Sequence, residues 1–231
     1  GLTRKPGSPA ATPSGGLRYE YLATPLAADC KYVFKMKKGT LYMIPCPIGD
    51  TEPYDVLPSA NREVIGRLDH FAVENLRSAR RFLSRAGVGK PIDSLHFAEL
   101  NEHTQTAEIE QIAASLMQGY DMGMISEAGV PGVADPGAEL AAYCHAKGIT
   151  VVPLVGPSSI LLALMASGLN GQSFAFNGYL PVKPPERAKA IRSFERRAQT
   201  ERQSQIFIET PYRNIKLFEE FIKTCGPATR P

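Results

Sequence analysis

Apolar and polar residues along the chain repeat in two periods, and the switches between them mark short strands and amphipathic helices in turn. Residues 40–45 form an apolar, β-rich run that predicts a first strand, ended by the prolines of Pro45-Cys46-Pro47-Ile48-Gly49-Asp50. A helix is predicted at 59–68 and a second strand at 70–73. The next helix turns Leu76, Ala79, Phe82, Leu83 and Ala86 inward. Residues 94–98 read as a third strand, and Ile109, Ile112, Ala113 and Leu116 mark a core-facing helix that starts at Thr104 and closes at Gly119. Strands at 121–125 and 149–153 follow, separated by a helix from Glu139 to Lys147 that stops at Gly148. Beyond them come a helix at 158–166, a strand at 173–176, a basic helix at 183–202, a strand at 205–209 and a last helix to Thr224. Strands alternating with helices predict an α/β fold with parallel strands. The expected organisation is an extension at 1–38, an α/β domain at 39–153 and a second α/β domain at 154–231, with a hinge at 153–156.

One stretch combines several backbone-shaping residues: Met124-Ile125-Ser126-Glu127-Ala128-Gly129-Val130-Pro131-Gly132-Val133-Ala134-Asp135-Pro136-Gly137. An apolar strand breaks into a glycine- and proline-rich loop and then opens a helix. Gly129 and Gly132 allow close backbone approach, Pro131 stiffens the turn, and Asp135 with Pro136 fits an N-cap and first helical residue. Such a junction suits a polar ligand beyond the carboxyl end of a strand. A tight connection without a ligand would use the same residues.

Length and composition narrow the class. With 231 residues, 43% hydrophobic and 21% charged, the chain has ample material for a packed core. Cys30, Cys46, Cys144 and Cys225 are widely spaced and form no Cys-x-x-Cys pair, so neither a zinc site nor a disulfide framework is expected, and reduced thiols of a cytoplasmic protein fit better. The longest apolar run, 160–166, is too short for a membrane span and is expected as a buried amphipathic helix. Residues 1–35 carry Pro, Gly, Ser and Ala without a sustained period and read as a disordered extension before Met36-Lys37-Lys38. A start assigned too early explains them better than a transit sequence built on Arg4 and Lys5.

Charge matters locally rather than in sum, because the net charge is only +3. Arg77, Arg81 and Arg85 recur every fourth residue, with Arg80 beside them. Between Lys183 and Arg202, seven basic residues (Lys183, Arg187, Lys189, Arg192, Arg196, Arg197 and Arg202) face three acidic ones. Either row is an ordinary solvated helix face taken alone. Together they favour an anionic backbone such as RNA. His103, just before a helix, reads as a loop or capping residue more readily than as a catalyst.

Five stretches, in order and spacing, carry a resemblance: Pro45–Asp50 as quoted, Val73-Glu74-Asn75-Leu76-Arg77, the loop from Ser126 to Gly137, Gly156-Pro157-Ser158-Ser159, and Glu209-Thr210-Pro211-Tyr212-Arg213. The chain resembles the tetrapyrrole-methylase superfamily of S-adenosylmethionine (SAM) dependent methyltransferases. Within it, the chain is most similar to the ribosomal small-subunit methyltransferase I family, which 2′-O-methylates a cytidine of 16S rRNA. Asn177-Gly178-Tyr179-Leu180-Pro181 resembles that family's Gly-Phe-Leu-Pro turn, and Asn101-Glu102 its Asn-Glu pair. Two stretches depart: the family has Glu-Asp-Thr-Arg at Glu74–Arg77 and Asp-Ala-Gly-Thr-Pro at Glu127–Pro131.

The resemblance implies two α/β domains of the class III methyltransferase kind with SAM in the cleft between them, a second domain that would continue past Pro231, and a homodimer. It implies that Gly129, Val130, Val133, Ser158 and Ser159 touch the cofactor, that Thr210 closes the far side, and that Pro47 lines the active-site side of the first loop, which Asp50 ends. No metal is implied, and the chain has no Gly-x-Gly-x-x-Gly cradle for a dinucleotide. A ribose hydroxyl is a poor nucleophile and needs a base or an orienting group; Glu74 is the candidate, with Arg77 placing a phosphate. A structural ion pair between those two is the plain alternative. Two other functions stay open: C-methylation of a tetrapyrrole precursor, and a non-catalytic SAM-binding homologue.

Overall fold

The computed structural model describes residues 37–101 and 104–230. The expected extension up to residue 36, with Cys30, and the pair Glu102 and His103 lie outside the described residues.

Strands β1 (Thr40–Ile44), β2 (His70–Val73), β3 (His96–Glu99), β4 (Met122–Ile125) and β5 (Thr150–Pro153) make one all-parallel sheet in the order β3-β2-β4-β1-β5. A parallel sheet has to be covered on both faces, and period-two alternation assigns the faces here. Tyr42, Ile44, Phe71, Val73 and Ile125 point to one side. There they meet Ile65 of helix α2 (Ala60–Arg67) and Ala79, Phe82, Leu83 and Ala86 of helix α3 (Leu76–Ala86), with the short helix α1 (Pro53–Val56) beside them. Leu41, Met43, Ala72, Met122 and Met124 point to the other side, toward Ile109, Leu116, Leu140 and Cys144. Those four lie on α4 (Thr106–Ile112), α5 (Ala114–Met117) and α6 (Ala138–Ala146). Each fully buried Leu or Ile contributes about 1.5–3 kcal/mol, so this two-faced core dominates the stability of the first half.

The second half is smaller. Strands β6 (Phe174–Phe176) and β7 (Ser204–Ile206) pair in parallel, with helices α7 (Ser159–Ser167), α8 (Pro184–Glu201) and α9 (Asn214–Thr224) around them. Its core centres on Leu180, Ile191 and Leu217, packed by Phe194, Phe207 and Phe221.

The α/β class and the order of elements agree with the sequence, and several details differ. The helix from Thr104 is two helices that meet at Ala113, and α1 is an element the sequence pattern does not predict. The helix after the central loop begins at Ala138, with Gly137 at φ 121° in the capping position and no side-chain cap. Asp135 is therefore not its N-cap. Gly137 has to pass close to Met43 and Met124, since a Cβ there would stand 3.1 Å from Met124 Cγ, and this fixes the helix start two residues later. Helix α7 has no buried residue, and its Met165 is 79% exposed, contrary to the buried helix expected at 160–166. Apolar composition calls for a cover, but the described residues close over only part of α7.

Residues 154–156 are fastened rather than loose. Leu154 donates its N–H to Met43 (2.9 Å), Val155 accepts from the Asn61 amide (2.9 Å), and Gly156 packs on Pro45.

Candidate functional site

Four loops leave the carboxyl ends of β1, β2, β4 and β5 on the same edge of the sheet, where α/β folds bind ligands. Because β1 and β4 are central neighbours, the two glycine- and proline-rich loops that follow them run side by side. An antiparallel bridge joins them: Cys46 N–H donates to Gly129 O (2.8 Å) and Gly129 N–H to Cys46 O (3.2 Å). Gly129 holds this position at φ 70° and Gly132 turns the chain back at φ 80°, conformations that glycine takes without strain.

The loop is also tied to the end of β2. Glu74 N–H donates to Ile125 O (3.0 Å), and the Glu74 carboxylate accepts the backbone N–H of Glu127 (3.0 Å). Ser78 Oγ donates to the Glu127 carboxylate (2.8 Å). Asn75 caps α3 by accepting Ser78 N–H (3.1 Å), a task an Asp at this position would perform equally, so the departure at Asn75 leaves the local fold unchanged.

These ties shape two adjoining hollows. A cavity of about 150 Å³ is lined by Gly129, Val130, Val133, Asp135, Ser158 and Ser159, with Ile48, Ala128, Ala134, Ile160 and Ile208 completing its wall. All five residues expected around a cofactor from the central loop and the second turn therefore border one space. Through Ile48 and Ala128 it meets a wider cleft of about 400 Å³. Pro47, Asp50, Arg81 and Arg85 line that cleft. Thr210 lines neither hollow: it donates to the Glu209 carboxylate through its N–H (2.8 Å) and accepts from Arg213 Nε (3.1 Å). Ile208, two residues earlier, lines the smaller hollow. Glu74 and Arg77 stand beside the cleft rather than in its wall, and Arg77 is exposed with no ion pair among the described residues. A larger cavity, about 680 Å³, lies between α8, α9 and β7 and shares none of these loops.

Charge is uneven across the site. Burial, then the neighbouring Glu74 carboxylate, pushes the Asp135 carboxyl up to about 6; the Ser126 hydroxyl pulls the other way, and Glu127 adds to the rise. Burial and the charge of Asp135 push the Cys46 thiol up to about 12, so it stays protonated and is no nucleophile at neutral pH. The arginine row on α3 is partly spent: Arg85 binds Asp50 (2.8 Å) and Glu52 (3.1 Å), and Arg80 binds Asp93. Arg81 in the cleft wall and Arg77 remain without ion pairs among the described residues. On α8, Arg187 is held by Glu220 and Arg197 by Glu201, whereas Lys189, Arg192 and Arg196 share one exposed face without ion pairs there. No three His, Cys, Asp or Glu among the described residues are placed to hold a metal ion, and no helix among them is long and apolar enough to cross a membrane.

No protein-family model matches the chain. A conserved hypothetical protein from Aeropyrum pernix K1 has the same fold, with a TM-score of 0.54 at 15% identity, covering 80% of this chain and 67% of that one. The ribosomal RNA small subunit methyltransferase I of Escherichia coli O157:H7 is 32% identical over 189 residues, 82% of this chain and 62% of that protein. The protein of the same name from Pseudomonas aeruginosa is 35% identical over 195 residues, 84% of this chain and 65% of that protein. The chain thus spans less than two thirds of the length of these curated relatives. Over that span it is a homologue of the ribosomal RNA small subunit methyltransferase I proteins, of the tetrapyrrole-methylase family, as its motifs implied.

Proposed function

We propose that the protein is a SAM-dependent methyltransferase acting on a ribose 2′-hydroxyl of ribosomal RNA, with a 16S cytidine as the kind of target the resemblance implies. One observation carries the reading: Gly129, Val130, Val133, Ser158 and Ser159, drawn from two loops far apart in sequence, border the same cavity.

The residues present fit a sulfonium cofactor. Val130, Val133, Ile160 and Ile208 offer apolar wall, Ser158 and Ser159 offer hydroxyls, and Asp135 offers a carboxylate beside them. The cavity and the adjoining cleft together reach the size usual for a ligand of this class, which the cavity alone does not. SAM when bound supplies an electrophilic methyl group and leaves as a neutral thioether. The protein's own part is to hold donor and acceptor in line and to exclude water. Glu74 contributes by fixing the loop through Glu127 N–H, and Pro47 and Thr210 support the loops on either side.

Nucleic acid is the acceptor that the surface charge favours. Arg77 and Arg81 stand beside and in the cleft, free to take a phosphate, and the Lys189, Arg192 and Arg196 face of α8 offers three more cations. The rRNA names of the relatives support the same substrate. They lend no support to the tetrapyrrole or non-catalytic alternatives. The reading takes the chain as two α/β domains divided near residue 153, a cytoplasmic protein and a homodimer.

Calorimetric titration with S-adenosylhomocysteine (SAH) tests the cofactor, and tritium transfer from labelled SAM to small ribosomal subunits tests the acceptor. SAH binding followed by label in RNA ribose is the expected result. No SAH binding would sink the proposal.

A further inference from the structure

We propose that Asp135 is the proton acceptor of this site, its carboxylate taking the proton of the hydroxyl that is methylated. The proposal rests on the methyltransferase reading and goes beyond it, since the motifs directed attention to Glu74.

Position separates Asp135 from its competitors. A general base has to reach the cavity where the reacting groups meet, with its lone pairs uncommitted. Asp50 points to solvent, 95% exposed, and is bound by Arg85. Glu127 accepts the Ser78 hydroxyl, and Glu74 accepts Glu127 N–H and lines neither hollow. Cys46 keeps its proton at neutral pH. Asp135 alone among these acids lines the cavity bordered by Gly129 and the two serines. The buried Ser126 hydroxyl, which donates to Ala128 O (3.4 Å), lies near enough to Asp135 to favour its charged form.

The backbone is shaped to hold it there. Ala134, just before it, sits at φ 61°, a conformation unusual for a residue with a side chain, and Gly132 and Gly137 on either side also have positive φ. The consequence is that Asp135 turns into the cavity instead of capping α6. Strain of this kind persists where surrounding structure fixes it, and functional sites are where it gathers.

The charged and titratable groups around Asp135 are Glu74 from the end of β2, Glu127 from its own loop and the Cys46 thiol from the first loop. Burial and the two carboxylates raise Asp135 to about 6, so it is ionised at neutral pH yet more basic than an ordinary aspartate. A base tuned toward the working pH transfers a proton most effectively. In the step, the O–H bond breaks and the proton passes to the Asp135 carboxylate, then to solvent. The oxygen uses its freed pair to bond the methyl carbon, and the carbon–sulfur pair stays on sulfur.

The test compares the protein with Asp135→Asn and Ser126→Ala in two measurements. SAH titration at pH 6–7, repeated in buffers of different ionisation enthalpy, reads protons taken up on binding. A neutral thioether that displaces water from Asp135 raises its pKa further, so the unaltered protein takes up a fraction of a proton and Asp135→Asn takes up none. Single-turnover methyl transfer to RNA against pH is expected to rise and level off near pH 6 in the unaltered protein. Asp135→Asn transfers about 10²-fold or more slowly, without that inflection, and Ser126→Ala moves the inflection upward. Proton uptake that survives in Asp135→Asn, or an unchanged pH profile, overturns the assignment while leaving the cofactor reading intact. No SAH binding by the unaltered protein overturns both.

Discussion

A Cβ added to Gly156 would stand 2.3 Å from Cγ and 2.4 Å from Cβ of Pro45, so the turn that delivers Ser158 and Ser159 rests its backbone directly on the ring that follows β1. A proline ring has no rotamer to escape into. Gly156→Ala must therefore shift the turn or the first loop, and both border the candidate cofactor space. Forcing a methyl group into such a contact costs about 1–3 kcal/mol, and much of that cost falls on the bound geometry. SAH affinity measured by calorimetry is expected to drop about tenfold or more. Gly171→Ala, which meets nothing within 4 Å, serves as the control and leaves affinity unchanged.

The exposed Lys189, Arg192 and Arg196 face offers a separate test of the acceptor. Replacing all three by Gln removes charge without touching Arg187, whose guanidinium is tied to Glu220. Every phosphate that is no longer neutralised lowers the slope of log affinity against log salt by about 0.7 on a single strand. The triple variant is expected to bind small-subunit rRNA more weakly, with the slope reduced by up to about 2, while SAH binding is unaffected. An unchanged salt slope in a filter-binding titration would remove this face from the RNA interface.

The first half of the fold is legible almost in full, because short apolar runs bounded by turn residues alternate there with helices, of which α3 has a clear apolar face. Of the inward residues expected on α3, Ala79, Phe82, Leu83 and Ala86 are buried and Leu76 is half-buried. Features that depend on side chains meeting over distance are not legible in this way. Asp135 next to Pro136 looks like a helix cap in one dimension, and only the approach of Gly137 to Met43 and Met124 shows why the helix starts later. The arginine row on α3 looked continuous, yet Asp50 and Glu52, more than thirty residues earlier, neutralise its last member. Ile208, an apolar residue in a strand-like run, carries no local mark of a ligand wall. The Asp135 environment is assembled from Ser126, Glu74 and Glu127 on two loops, and no spacing in the sequence encodes that meeting.

Gly123, in the middle of β4, makes a prediction about stability alone. A Cβ there would come within 2.5 Å of Ile44 Cδ1 and 2.9 Å of Phe71 Cδ1, side chains of the two flanking strands that fill the space its absence leaves. Both neighbours are buried, so neither can swing away into solvent. Gly123→Ala is expected to lower the unfolding free energy in urea by about 1–3 kcal/mol, with SAH affinity unchanged under conditions where the variant remains folded.

Asp135 should also leave its mark on stability against pH, with a sign opposite to that of a salt-bridged carboxylate. Its folded pKa, about 6, lies above the ordinary value of 3.8, so between these values the folded state binds more protons than the unfolded one. Stability from this group therefore falls as pH rises through that window, and the loss is complete above pH 6. Well below pH 3.8 the group is protonated in both states and costs nothing. Asp135→Asn carries no charge to bury, so its melting temperature is expected to exceed that of the unaltered protein at pH 8, the gap narrowing as pH falls from 6 toward 4. A residue kept solely to hold the loop together would give the reverse, a variant less stable at every pH. Thermal melts of the two proteins at pH 4, 6 and 8 distinguish the cases, because only a carboxylate held in the cavity against its own desolvation produces a gap that opens with ionisation.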